Sequence, residues 1–351
     1  MKKTIALFLT GIAIAACNKQ HLPSMRTSEY GTILVSIAPQ DGRQTKSVTA
    51  YTTARSYETK VNNVQVLIFG DDGKINYYKD LGSKLSGELS ITSGIKTVYA
   101  VVNGPDLSDI ATISDLEAVA VDLSANSTSD SNGFVMAGKT TCSVSSGSVN
   151  CSVPVSRLVA RITLKSISNK LPSSYGDIQI KRVFLANVVG NQNLSGIAST
   201  NTWYNQEGRM DETPLVESHI IDGVAYTASC PELTYRETDF KVVNGSSHDP
   251  IDPLLLYCYP NSCTTAPGGF SPSFSPQRSV LVIAAIVNEA LFYYPIVLDN
   301  AIIDRNTSYS VALTVSSIGS LDPNNPVDKG AAEVSVSIEG WKTGASYEET
   351  I

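Results

Sequence analysis

Apolar residues in this chain come in short runs separated by Gly, Asn, Asp and Pro, a texture that favours strands and turns over helices. Thr32 to Ala38 (Thr-Ile-Leu-Val-Ser-Ile-Ala) is one such run, closed by Pro39. Val61 to Phe69 is apolar on both faces and enters Asp71-Asp72-Gly73, a hairpin turn signal, before Lys74 to Tyr78 returns; these two segments are expected to pair. Leu85 to Ile91 and Ile95 to Val102 follow, the latter closed by Asn103-Gly104-Pro105. Between Ser108 and Val119, Ser114-Asp115-Leu116-Glu117 has the pattern of a short helix start. Val153 to Leu164 opens a second series, with Ile178 to Val189, Ser279 to Val287, Leu291 to Leu298, Thr307 to Ser316 and Glu333 to Trp341. Gln40 to Tyr57 is polar and reads as exposed, and Gly190 to Gln277 reads as a turn-rich middle. Strands at such intervals without a βαβ rhythm predict an all-β protein of two β-sandwich domains, divided near Pro154 to Arg161.

The N-terminal pattern is different. Lys2 and Lys3 precede an apolar run from Ile5 to Ala16, too short to span a bilayer and suited to a signal peptide. The run ends Ile14-Ala15-Ala16-Cys17, which resembles a bacterial lipobox, and implies that Cys17 is acylated and becomes the N-terminus after cleavage. Asn18 to Ser28 reads as a polar tether. Export makes disulfides stable. With Cys17 set aside, five of the six cysteines are left, an odd number. In Cys142-Ser-Val-Ser-Ser-Gly-Ser-Val-Asn-Cys151, a two-residue turn at Ser146-Gly147 sets Cys142 opposite Cys151 at a non-hydrogen-bonded position, which predicts a cross-hairpin disulfide. Cys258 and Cys263 can close a loop, but Cys230 can equally pair with either.

Composition narrows the function classes. A length of 351 residues suits two domains. Lys plus Arg number 26 against 33 Asp plus Glu, a net charge of −7, so no basic face recruits nucleic acid. With 42% hydrophobic residues the chain can build real cores, and global disorder is excluded. His21 lies in the tether, His219 at a strand start and His248 in a turn composition, and neither GxSxG nor HExxH occurs. The carboxylates are spread along polar loops with no glycosidase-like pairing. Asp322 to Asp328 lacks the glycine and terminal glutamate of a calcium loop, and no His/Cys cluster has metal-ligand spacing. The expectation is no catalytic residues, no cofactor and no metal. Tyr77-Tyr78 and Phe292-Tyr293-Tyr294 offer rings that can stack on sugar, although adjacent strand residues face opposite sides and half of each set is expected in the core.

Four motifs in order carry a resemblance. Asp304-Arg305-Asn306-Thr-Ser-Tyr309 with its alternating apolar continuation to Val315, Glu333 to Trp341 beyond a Pro- and Asn-rich linker, Arg157-Leu-Val-Ala-Arg161-Ile162, and Gly31-Thr-Ile-Leu-Val-Ser-Ile-Ala resemble the FimA-like fimbrillins of Bacteroidales, the subunits of type V pili. Gly190 to Gln277 matches nothing in that family. The resemblance implies two tandem transthyretin-like, Greek-key sandwiches: signal peptide 1–17, tether and leading strand 18–43, N-terminal domain 44–156 and C-terminal domain 157–351. It implies a precursor carried to the outer membrane by a palmitate-type lipid on Cys17, then cut by an Arg- or Lys-directed protease at Arg43, with Lys46 and Arg55 as further positions. Loss of the leading strand would open a groove for a strand of another copy or another pilus subunit. The expected donor is the C-terminal segment, where Val334, Val336 and Ile338 alternate with polar residues, extended or locked by Trp341 and the tail. A basic loop together with a C-terminal extension fits a stalk subunit rather than a tip or an anchor. Adhesion to a host surface or to co-aggregating bacteria would follow. The alternatives are a tip or anchor subunit, or a monomeric lipid-anchored protein that binds glycan or host protein, in which the C-terminal strand completes its own sandwich.

Overall fold

The computed structural model describes residues 30–41, 51–52, 54–129, 131–196, 198–205, 218–221, 224–227, 230–250, 252–265, 277–298, 302–323 and 332–341. Its first half holds strands β1 (Tyr30–Pro39), β2 (Tyr51–Thr52), β3 (Val64–Phe69), β4 (Ile75–Asp80), β5 (Ser86–Thr92) and β6 (Gly94–Val102). β7 (Ala120–Asp122), β8 (Met136–Val144) and β9 (Ser148–Arg157) follow, with short helices α1 (Ser56–Thr59) and α2 (Ile113–Ala118) between strands. The hydrogen-bonded order is β4-β3-β6-β8-β9-β1-β5. β8 and β9 ladder with each other at Met136–Arg157 and Ala137–Ser156. Beyond that point β8 pairs with β6 and β9 with β1. The path therefore bends into two layers, β4-β3-β6-β8 over β9-β1-β5. Between them Ile33, Val35 and Ile37 of β1 meet Val64, Val66 and Ile68 of β3. The opposite face of β3, Leu67 and Phe69, enters a second core shared with the other half, so every position of β3 is buried. Burial on both faces is why this strand is apolar at every position but Gln65.

The second half contributes β10 (Ala160–Asn169), β11 (Ile178–Ala186), β12 (Val188–Asn193), β13 (Ala198–Tyr204), β14 (Ser218–Ile221) and β15 (Val224–Thr227). Helix α3 (Pro231–Thr234), β16 (Tyr235–Val242), β17 (Ser247–His248) and β18 (Leu254–Cys258) lead to β19 (Val280–Val287), β20 (Ala290–Val297), β21 (Ser308–Val315) and β22 (Ala332–Trp341). One layer is β10-β21-β22, with β17 and β18 on the other edge of β10, and the second is β16-β11-β19-β20. Ile162 and Leu164 of β10 and Val311 and Leu313 of β21 share a core with Ile178 and Ile180 of β11 and Ile283 of β19. Each half sets its leading strand parallel to a later one, β1 beside β9 and β10 beside β21. Among the described residues two ladders join the halves, β7 with β12 and β2 with β22. The architecture is all-β and built of sandwiches.

Several local readings are corrected. Ile178 to Val189 is two strands, broken where Asn187 takes φ 56°, a left-handed conformation that asparagine tolerates. The middle read as turn-rich carries β12 to β18. Their apolar positions are few and their outward faces polar, as in β16, where Glu237, Asp239 and Lys241 are exposed and Val242 is buried. Helix α2 is capped by Thr112, upstream of Ser114. Asp115 N–H donates to Thr112 Oγ1 at 3.1 Å, and Thr112 N–H returns to Asp115 Oδ2 at 3.0 Å.

Candidate functional site

β1 is the feature around which the first sandwich closes. It pairs antiparallel with β5 from Tyr30–Thr92 to Ser36–Ser86, and parallel with β9 from Thr32–Ser148 to Pro39–Val155. Its inward side chains, Ile33, Val35 and Ile37, are at most 5% exposed. Full burial of each such side chain is worth about 1.5–3 kcal/mol. Yet β1 is an inserted strand: its chain neighbours β2 and α1 lie with the second half, while β5 and β9 are far along the sequence. Remove it, and β5 and β9 are left as two unpaired edges over an apolar trough.

The floor at the Tyr30 end of this trough is the turn between β8 and β9. Cys142 and Cys151 are disulfide-bonded there, with Cα atoms 6.2 Å apart. Their register continues that of Met136–Arg157, but the two arms have already parted into opposite layers. The bond therefore staples one layer of the sandwich to the other. Cys258 is a buried thiol, and burial pushes it up to about 12.

At the other end of β1 lies a buried charge cluster. Glu58, on α1, is completely buried, and its carboxylate accepts from Arg161 Nη1 at 3.0 and 3.1 Å, Tyr257 Oη at 2.6 Å, Trp341 Nε1 at 3.0 Å and Arg55 N–H at 2.7 Å. Arg157 Nε donates to the Glu58 carbonyl at 2.9 Å, and its Nη1 to Asn306 Oδ1 at 3.1 Å. Asn306 Nδ2 in turn reaches the carbonyls of Gln40 and Asp41 at 3.3 and 3.1 Å. Both guanidinium groups lie over the Trp341 ring, 4.3 Å and 5.0 Å from its centre. Desolvation brings Arg157 down to about 10 despite the opposing charge of Glu58, and burial raises Tyr257 well above the ordinary phenol range. Every face of this carboxylate is occupied by a donor, so it has no lone pair to offer a substrate. The cluster is a junction of chain segments.

The expected site residues fall as follows. Cys17, Arg43 and Lys46 lie outside the described residues. Arg55 precedes α1 and forms an exposed ion pair with Asp252 at 2.6 Å. Its carbonyl accepts from Glu58 N–H at 3.0 Å, which ties it into the helix start. β22 pairs along its length with β21 from Ser308–Glu339 to Val315–Ala332 and on its other side with the short β2, so the C-terminal strand completes its own layer here. Val336 packs on the core, Trp341 is buried, and Glu333, Ser335 and Ser337 are exposed; the side chains of Val334 and Ile338 lie outside the description. Of the motif residues, the structure brings Arg157, Arg161, Asn306 and Trp341 together. Glu58 and Tyr257, which complete the cluster, escaped the sequence reading because a single acid in a polar stretch carries no pattern.

A cavity of about 660 Å³ opens beside the end of β1, lined by Asp41, Tyr99, Glu117, Lys139 and Arg305 among others. Lys139 Nζ holds Glu117 at 2.8 Å. His248 stacks on Phe240 at 4.5 Å, and no group of His, Cys, Asp and Glu among the described residues is arranged to hold a metal. Tyr293 and Tyr294 are both buried, so neither ring is presented for sugar stacking.

Residues 32–151 match the family model of the major fimbrial subunit protein (FimA), which spans β1 to the disulfide at Cys151. The fold extends the likeness over most of the chain. A proposed cell adhesion protein of Bacteroides eggerthii superposes with a TM-score of 0.60 at 18% identity, covering 90% of this chain and 97% of that one. One from Parabacteroides distasonis gives 0.58 at 17%, covering 90% and 97%. A fimbrilin (FimA) of Porphyromonas gingivalis gives 0.58 at 13%, covering 89% and 97%. A search of curated protein sequences returns no match. Residues 32–151 are thus similar in sequence to the FimA family, and the chain over most of its length is similar in fold to a fimbrilin.

Proposed function

We propose that the protein is a structural subunit of a cell-surface fimbrium, of the stalk type, that polymerises by strand exchange after proteolysis. It is exported as a precursor anchored at the outer membrane through Cys17. Cleavage at Arg43 or Lys46 frees β1, and the C-terminal strand of another copy takes its place. The observation that carries this reading is the position of β1, a central strand bound on both edges, whose connection to the rest of the fold runs through a basic segment. Arg55 is the weaker cleavage position, since proteases nick exposed backbone that is free of hydrogen bonds, and both its N–H and its carbonyl are engaged with Glu58. Neighbouring subunits, and through them a host or bacterial surface, are the partners; the protein has no catalytic role.

A second reading has its own support. β22 pairs with β21 from Ala332 to Glu339 within this molecule and Trp341 is buried, as expected of a lipid-anchored monomer that never exchanges strands. The variant Arg43→Ala/Lys46→Ala separates the two. Strand exchange predicts that this variant accumulates as uncut precursor and forms no detergent-resistant ladder, while the parent protein does. A monomeric binder would show no ladder in either case.

A further inference from the structure

From the shape of the β1 trough we infer the direction and register of the strand that replaces β1: the C-terminal strand of a second copy enters reversed, with Gly340 where Gly31 now sits. This rests on the strand-exchange reading above and adds the geometry to it.

The trough sets a pattern that any occupant must meet. At position 31 there is no room for a side chain. A Cβ there would lie 2.0 Å from the Ser145 carbonyl oxygen and 2.8 Å from Val144 Cγ1, in the turn joining β8 to β9. The turn cannot retreat freely, because the Cys142–Cys151 disulfide ties its two arms. Beyond the glycine slot, three buried positions follow at alternate residues, filled by Ile33, Val35 and Ile37. The requirement is a glycine followed by three branched apolar residues at spacing two.

β22 carries this pattern backwards. Read from its C-terminal end, it presents Gly340, Ile338, Val336 and Val334. β1 and β22 also have the same length, Tyr30–Pro39 and Ala332–Trp341, so an end-to-end reversed overlay places Trp341 at Tyr30 and Ala332 at Pro39 as well. The forward alternatives fit worse. With Val334, Val336 and Ile338 in the three pockets, Ala332 falls on the glycine slot and its Cβ meets Ser145. With Gly330 on that slot, Ala332 replaces Ile33, a deletion that costs about 2–5 kcal/mol in a core, and Ile338 falls beyond the last pocket. Backbone pairing does not decide the direction. Reversal makes the β9 contact antiparallel and the β5 contact parallel, and the slight advantage of antiparallel pairing gained on one edge is lost on the other. The glycine decides.

Inter-copy cysteine pairs test the register in processed full-length protein. Ser90 lies opposite Thr32 on β5. In the reversed register Glu339 of the incoming strand occupies the Thr32 position, whereas the forward registers bring Glu333 or Ala331 there. Copies carrying Ser90→Cys are mixed with copies carrying Glu339→Cys, Glu333→Cys or Ala331→Cys, polymerised and mildly oxidised, with the parent protein as background control. A new dimer band confined to the Glu339→Cys mixture is the expected result. A band confined to the Glu333→Cys or Ala331→Cys mixture overturns the reversed register but keeps strand exchange. Polymer without any such band overturns both, since β22 would then not lie in the trough. As a second readout, Gly340→Val is expected to keep the folded precursor and abolish polymer, while Ala332→Val polymerises; the opposite ranking in two folded variants contradicts the assignment.

Discussion

At the scale of the single residue, Glu58 has more consequence than its sequence context suggests. It stands in a polar stretch with no motif of its own, yet it accepts hydrogen bonds from Arg161, Tyr257 and Trp341 in complete burial. A buried ion pair of this kind adds little compared with an apolar replacement of the whole set, but loss of one member leaves the others charged and unpaired, at a cost of about 3–5 kcal/mol. Glu58→Ala should therefore lower the urea midpoint of the protein strongly and expose Trp341, read as a red shift of its fluorescence. An unchanged midpoint would mean that the two arginines find other partners. Arg157, Arg161 and Asn306 stood out in the sequence as parts of motifs; their reason for being there is visible only in three dimensions, where Arg161 meets the Glu58 carboxylate, Arg157 joins the Glu58 carbonyl to Asn306, and Asn306 holds the end of β1 through the carbonyls of Gln40 and Asp41.

At the scale of the element, the legible strands are those whose burial leaves a mark in the order of residues. β3 is buried on both faces and is apolar at every position but Gln65, β1 is buried on one face and alternates, and the β3–β4 hairpin is announced by Asp71-Asp72-Gly73. Between Gly190 and Gln277 the mark is absent, because strands such as β16 bury few apolar residues and display charged ones. The cysteine hairpin shows a different limit. Its register follows from counting outward from the turn, but the parting of its arms into two layers depends on what β6 and β1 offer as partners, which no local sequence states. The same holds for the trough. The alternation of β1 and of the C-terminal strand can be read from the chain, whereas the need for a glycine at position 31 comes from the Ser145 carbonyl across the sandwich.

At the scale of the whole molecule, one apolar core is shared by the two halves, and a set of buried and half-buried phenols spans it. Burial raises Tyr57, Tyr99, Tyr257, Tyr259 and Tyr294, the last to about 12. Above pH of about 10, the ordinary phenol value, the unfolded chain releases these protons while the native state keeps them. The unfolded state then binds fewer protons, so stability falls as pH rises through that window. Arg157, lowered to about 10, acts in the opposite direction, as do Arg236 and Arg305, which burial also lowers. The urea midpoint should drop between pH 9 and 11 on this balance, and a flat or rising midpoint would contradict the burial of these rings. The same scale holds the central claim, that this precursor is cut and then joined to others. The mass and N-terminus of the mature protein taken from its own cell surface test it most directly. Strand exchange predicts a start at Gln44 or Ser47, after Arg43 or Lys46, in material that resists dissociation by mild detergent. A mature chain that begins at acylated Cys17 and runs as a monomer would contradict it.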